Sequence, residues 1–111
     1  MMVRIYHNPR CSKSRQTLAL IEEQGITPDV IAYLDTPPTP QELSGILDML
    51  GMKPEDILRK KEAKEEGIAD LRGDDLIEAL CAHPRAIERP IVVNGDKAAL
   101  GRPPESVLDI L

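Results

Sequence analysis

The sequence predicts an α/β domain built on a mixed, four-stranded sheet. Three observations carry this. A short apolar run, MVRIY (residues 2–6), leads through a polar loop into a helical pattern and then into a second apolar run, DVIAYL (29–34), which together make a β-α-β unit. Near the far end, PIVVNGDKAAL (90–100) sets two apolar runs around Asn94-Gly95, a strong hairpin signal. A hairpin joins antiparallel strands while the first crossover is right-handed and joins parallel ones, so a sheet holding both is mixed.

The elements follow in order. After Cys11, helical spacing puts Leu18, Ile21 and the neighbouring Leu20 on an apolar face, and Gly25 marks the stop. The prolines of DTPPTPQE then turn the chain after the second strand. Thr39-Pro40-Gln41-Glu42 reads as a capping box with proline at the first helical position, opening a helix that runs to about Leu50 and stops at Gly51. Another helix is expected from Pro54-Glu55, carrying Arg59 ahead of the charged and exposed run KKEAKEEG. DDLIEALCAH (74–83) forms the next helix, ended by Pro84. After the hairpin, RPPESVLDIL opens a last helix with Pro103 and Pro104 in its first turn. The order is β-α-β, helical insertion, β-β-α, read as a single domain over residues 1–111 with the insertion at about 36–84. With two Tyr and no Phe or Trp, the core is aliphatic.

Composition narrows the classes of function. A net charge of -5 argues against a nucleic-acid partner. No apolar run approaches the roughly 20 residues that span a bilayer, so no membrane partner is expected, and MMVRIYHNP lacks a signal-peptide pattern. Two cysteines without a disulfide framework fit a reducing compartment, so the location is read as cytoplasmic. Two histidines and two cysteines lack the spacing of a metal site, so no metal and no bound cofactor are expected.

The chemistry concentrates in HNPRCSKSRQTL (7–18). Arg4, Arg10, Lys13 and Arg15 crowd the first fifteen residues, which hold no acid. A strand, a tight loop and a helix put Cys11 at a helix N-terminus, where unpaired N–H groups and the helix dipole favour a thiolate. Ser12 and Ser14 can cap that helix or donate to the sulfur, and the basic neighbours add positive potential. The same features suit a tetrahedral oxyanion. The plain alternative is a cysteine that fills a loop among solvated cations. Cys81 lies beside Ile77 and Leu80 and reads as core packing; it could resolve a disulfide only if the fold brought it to Cys11. The loop holds Cys-Ser-Lys-Ser rather than Cys-X-X-Cys, so a modified Cys11 needs a thiol from outside.

Arg89-Pro90 and Arg102-Pro103 each set an arginine before a proline, which holds it extended in a restricted direction. Arginine offers a planar fork of donors matched to oxyanions. Each of Arg59, Arg89 and Arg102 taken alone reads as a surface residue; together with the loop they read as ligands.

YHNPRCSKSR, LRKKE, RPIVV and GRPPESVLDIL, in this order along the chain, resemble the glutaredoxin-coupled arsenate reductase family, which shares its thioredoxin-like fold with the Spx-type regulators. The resemblance implies that Cys11 is the nucleophile and that Arg59, Arg89 and Arg102 bind the oxyanion and intermediate, with Ser12, Ser14 and Arg15 around it. It implies that Pro90 is a cis proline facing the cysteine, and that His7 favours the thiolate; a half-exposed histidine at a strand end is the alternative for that residue. The basic loop aligns best with a shorter subgroup of the family. The activity implied is reduction of arsenate to arsenite with glutathione as co-substrate and glutaredoxin as partner. Two alternatives stand beside it: a glutathione-dependent thiol-disulfide reductase with no arsenate role, and an RNA polymerase-binding regulator. Ser14 in place of a second cysteine disfavours the last.

Overall fold

In the computed structural model, which describes residues 2–111, four strands form one sheet in the order β2-β1-β3-β4. β1 (Val3–Tyr6) runs parallel to β2 (Asp29–Ile31) and antiparallel to β3 (Ile91–Asn94), and β3 pairs antiparallel with β4 (Lys97–Leu100). The sheet is therefore mixed, as the crossover and the hairpin require. β2 is shorter than the run 29–34 because its register pairs Ile31 with Tyr6, the last residue of β1. Beyond that pair only His7 follows, its N–H donating to the Ile31 carbonyl at 2.9 Å.

Two compact units make up the chain. One carries the sheet, running up to Tyr33 and resuming at Arg89–Leu111; the other is the helical stretch Leu34–Glu88. In the sheet unit, β1 and β3 are central. Ile91, Val92 and Val93 are buried on both faces of the sheet, which is why PIVV is a continuous apolar run rather than an alternating one. On one face Val3, Ile5 and Val92 pack with Ile21 of α1 (Ser12–Glu23) and Val107 of the closing 3₁₀ helix Pro104–Ile110. Leu18, Ile26, Ile110 and Leu111 close its edge, so this core is wholly aliphatic. The buried stripe of α1 is Ser14, Thr17 and Ile21, whereas Leu20, expected on it, is half-exposed. Helical periodicity explains this: Leu20 is three residues from Thr17 but about 100° of rotation from Ile21, off the line that meets the sheet. The last helix is 3₁₀ over its whole length rather than α.

In the helical unit, α2 (Pro40–Leu50) begins on the expected capping box. Glu42 N–H donates to the Thr39 hydroxyl at 3.1 Å, and the Thr39 N–H donates to the Glu42 carboxylate at 3.2 Å. It ends at Gly51, whose φ of 66° is left-handed. Its Leu43, Ile46 and Leu47 are buried, as are Leu76, Ile77 and Leu80 of α4 (Gly73–Ala82), and the two helices pack together. The helix expected from Pro54 through Arg59 is absent. A 3₁₀ turn spans Pro54–Ile57, and Leu58 forms an isolated antiparallel bridge with Ile87. The N–H of Arg59 donates to the Ala86 carbonyl at 2.8 Å, and Glu88 N–H donates to Ile57 O at 2.7 Å. These long-range partners hold Leu58 and Arg59 extended, overriding local helical tendency. The charged run is itself the helix, α3 (Lys60–Glu65), pinned through buried Ala63. No helix among the described residues is long and apolar enough to cross a membrane.

Candidate active site

β1 ends at Tyr6, and four residues carry the chain to Cys11, the N-cap of α1. The loop is folded on itself. Cys11 N–H donates to the Asn8 carbonyl at 3.0 Å, Arg10 N–H to the Asn8 side-chain oxygen at 3.0 Å, and the Arg15 guanidinium to the Pro9 carbonyl at 2.8 Å. The Cys11 side chain is largely buried. Burial pushes its thiol pKa up, but the N–H of Ser14, the Arg89 charge, the N–H of Lys13 and the Arg102 charge more than offset this. The net value lies below that of an ordinary thiol.

The Arg102 guanidinium reaches the sulfur, Nη2 to Sγ at 3.8 Å, while its Nε donates to the Arg89 carbonyl at 2.8 Å. One planar fork thus ties the two pre-proline arginines to each other and one of them to the thiol. The Arg89–Pro90 and Arg102–Pro103 peptide bonds are both cis.

His7 is buried at the end of β1, so the half-exposed alternative does not hold. Its Nδ1 lies 2.6 Å from the Ser14 hydroxyl, which also accepts from the Asn8 N–H at 3.0 Å. Burial first, and then the Arg15 charge, lower the His7 pKa, so the ring is neutral at pH 7. A neutral ring accepting at Nδ1 from the Ser14 O–H completes the pattern. His7 therefore brings no positive charge to the thiolate, and the Ser14 hydroxyl is committed to His7 and Asn8. It is the N–H of Ser14 that serves the sulfur. Sequence also had Arg10, Lys13 and Arg15 add positive potential to the loop; the charges acting on the thiol are those of Arg89 and Arg102. Arg15 instead braces Pro9, and Ser12 is the exposed first residue of α1.

Cys11, Arg89 and Arg102 thus meet within the sheet unit. Arg59 and Cys81 belong to the helical unit. Arg59 is the N-cap of α3, with its guanidinium 2.8 Å from Glu62 and donating to the Arg85 carbonyl at 3.1 Å. Cys81 is half-buried on α4 rather than in the core; burial, then the charges of Glu42 and Glu78, push its thiol pKa up. No cluster of metal-ligating side chains is present among the described residues.

Three residues that shape the site were not singled out from sequence: Asn8, Thr17 and Gly101. Asn8 had a legible signal, since Asn-Pro favours a turn closed by its own side chain. Thr17 had a weaker one, a hydroxyl residue on the core-facing line of a helix. Gly101 had none beyond being a glycine beside Arg102.

A β-α-β unit followed by a hairpin, with an activated thiol at the start of the first helix, defines a thioredoxin-like protein. Residues 6–110 match the ArsC family. The chain is 47% identical, over its whole length and that of the relative, to a protein named arsenate reductase from Haemophilus influenzae. It is 49% identical to the protein named uncharacterized protein YfgD from Escherichia coli K12, across 98% of this chain and 96% of that one. The solved structure of an arsenate reductase from Vibrio cholerae matches with a TM-score of 0.91 at 50% identity, covering 100% of this chain and 98% of the other. The chain belongs to the ArsC family.

Proposed function

We propose that this protein is an arsenate reductase that takes its electrons from glutathione and a glutaredoxin. The observation that carries the reading is the Cys11 sulfur at a helix N-cap, 3.8 Å from the Arg102 guanidinium. An ionised sulfur and a doubly charged tetrahedral oxyanion need the same donors, and this site offers them to both.

Arsenate docks against Arg89, Arg102 and the first N–H groups of α1, with Arg59 the third guanidinium that the LRKKE resemblance assigns. The Cys11 thiolate attacks arsenic; one As–S bond forms, one As–O bond breaks, and the oxygen leaves as water with a proton taken up. The thiol of glutathione then condenses on arsenic, displacing a second oxygen as water or hydroxide. The glutaredoxin thiolate attacks the glutathione sulfur. A mixed disulfide forms, the electron pair of the As–S bond stays on arsenic, and arsenic falls from the pentavalent to the trivalent state. Water finally displaces arsenite and returns the Cys11 thiol. The guanidiniums hold oxygens whose charge redistributes at each step.

External thiols are required because Ser14 occupies the position of a second loop cysteine and its hydroxyl is committed to His7 and Asn8. Both reductants belong to a reducing cytoplasm, which also keeps Cys11 free. The test is arsenate-dependent NADPH oxidation coupled through glutathione, glutaredoxin and glutathione reductase, lost in Cys11→Ser. No arsenate-dependent oxidation, alongside full reduction of a glutathionylated substrate, would instead assign a thiol-disulfide reductase.

A further inference from the structure

We propose that Gly101 and Thr17 are positioning residues that set the Arg102 guanidinium against the Cys11 sulfur; the consequence for arsenate rests on the arsenate-reductase reading, the consequence for the thiol does not. Gly101 is buried between β4 and Arg102. A Cβ at this position would lie 2.6 Å from the Thr17 hydroxyl oxygen, 2.7 Å from Pro90 Cγ and 3.2 Å from Pro90 Cδ. Gly101 is not among the glycines with positive φ, so the position demands space rather than backbone freedom.

Neither neighbour yields cheaply. Thr17 is fully buried, β-branched and stiff, and its hydroxyl donates to the Lys13 carbonyl at 2.7 Å. The Pro90 ring is buried, and its carbonyl accepts from the Gly101 N–H at 2.9 Å. Ordinary contact begins at 3.4 Å, so a methyl group must open the Thr17 contact by about 0.8 Å.

What lies on each side makes that displacement matter. Thr17 is bonded to Lys13, in the turn of α1 whose Lys13 and Ser14 N–H groups face the sulfur. Gly101 and Pro90 directly adjoin Arg102 and Arg89, which are joined through Arg102 Nε and the Arg89 carbonyl. The amide donors and the guanidinium donors therefore come from two separate pieces of backbone that meet without clearance at Gly101. Opening this contact moves one donor set away from the other, and a misplacement approaching 1 Å in such a site costs on the order of a hundredfold in rate at the extreme.

The test uses full-length Gly101→Ala with two readouts. The first is the pH profile of Cys11 alkylation, followed by mass spectrometry of the Cys11 peptide; the second is KM and kcat for arsenate. The alkylation midpoint is expected to move up and KM to rise about tenfold, with kcat falling less. A folded variant with the wild-type midpoint and KM overturns the proposal and leaves Gly101 a packing residue only. Should Gly101→Ala not fold, Thr17→Val and Thr17→Ser decide. Valine keeps the shape but cannot donate to Lys13, so its midpoint rises; serine keeps the donor and the wild-type midpoint. Equal midpoints in both variants overturn the proposal. A midpoint that moves in a protein showing no arsenate turnover even as wild type supports the positioning role and refutes the arsenate reading.

Discussion

Replacing Arg102 by glutamine removes a guanidinium that reaches the sulfur, and its effect can be worked from one distance. Two unit charges 3.8 Å apart interact by about 1 kcal/mol at the dielectric of water, which suits an exposed arginine. That energy corresponds to about a sixfold change in the ratio of thiolate to thiol. The sign follows from the chemistry: the guanidinium favours the thiolate, so its loss raises the thiol pKa and cuts the thiolate fraction about sixfold well below the midpoint. A thiolate of higher pKa is also more nucleophilic, with a Brønsted slope of about 0.4–0.5, so the alkylation rate at the high-pH plateau rises about twofold. The assay is the iodoacetamide rate at Cys11 against pH. Arg102→Gln is expected to show a later midpoint and a higher plateau together. Arg102→Lys restores the charge but not the fork that also holds the Arg89 carbonyl, so it recovers the midpoint more fully than the arsenate KM. If Arg102→Gln reproduces the wild-type profile, the electrostatic account of the thiol is wrong.

Ser14→Ala strips the partner from buried His7 and from the Asn8 N–H. It should cost about 1–3 kcal/mol in chemical denaturation while moving the Cys11 midpoint less than Arg102→Gln, because the Ser14 N–H remains. The His7 pKa is lowered in the fold, so between that value and 6.5 the unfolded chain binds more protons. Stability should therefore fall as pH drops below about 6.5, and His7→Gln should flatten that part of a denaturation-midpoint series. Cys81 has a raised thiol pKa, so it should alkylate far more slowly than Cys11 at pH 7, and Cys81→Ser should keep the wild-type arsenate-dependent rate. Added salt should raise the arsenate KM more steeply than the thiol midpoint, since the largest favourable influence on the thiol is the Ser14 amide rather than a mobile charge.

Elements with local signals were legible in sequence. The hairpin, the Thr39 capping box and the Cys11 helix start each depend on a few adjacent residues, and each forms; the hairpin's two-residue loop is Gly95-Asp96 rather than Asn94-Gly95, because Asn94 pairs with Lys97 inside the ladder. What failed depended on partners far along the chain. Leu58 and Arg59 are extended because Ala86 and Ile87 offer them backbone partners, which no window around residue 58 contains. The site divides in the same way. Cys11 and its neighbours could be read as a thiol at a helix N-terminus, and the two Arg-Pro pairs as restrained arginines. That Arg102 reaches the sulfur across 91 positions, or that the Ser14 hydroxyl turns to His7, is a consequence of packing.

Net charge shows why the local reading matters more than the global one. A chain of net charge -5 looks a poor host for a dianion. The excess is not shared evenly: the sheet unit carries seven Lys and Arg against six Asp and Glu, while Leu34–Glu88 carries seven against thirteen. At physiological salt a charge is screened over about 8 Å, so an anion at Cys11 responds mainly to the groups around it. Within the cysteine's own unit the charges that act on the thiol are the Arg89 and Arg102 guanidiniums, and the amides that serve it are the Lys13 and Ser14 N–H groups at the start of α1. Net charge and the potential at the thiol are therefore separate properties in this protein. The first argues against a long polyanion as partner, while on the proposed reading the second is what lets a thiolate and an oxyanion share one set of donors.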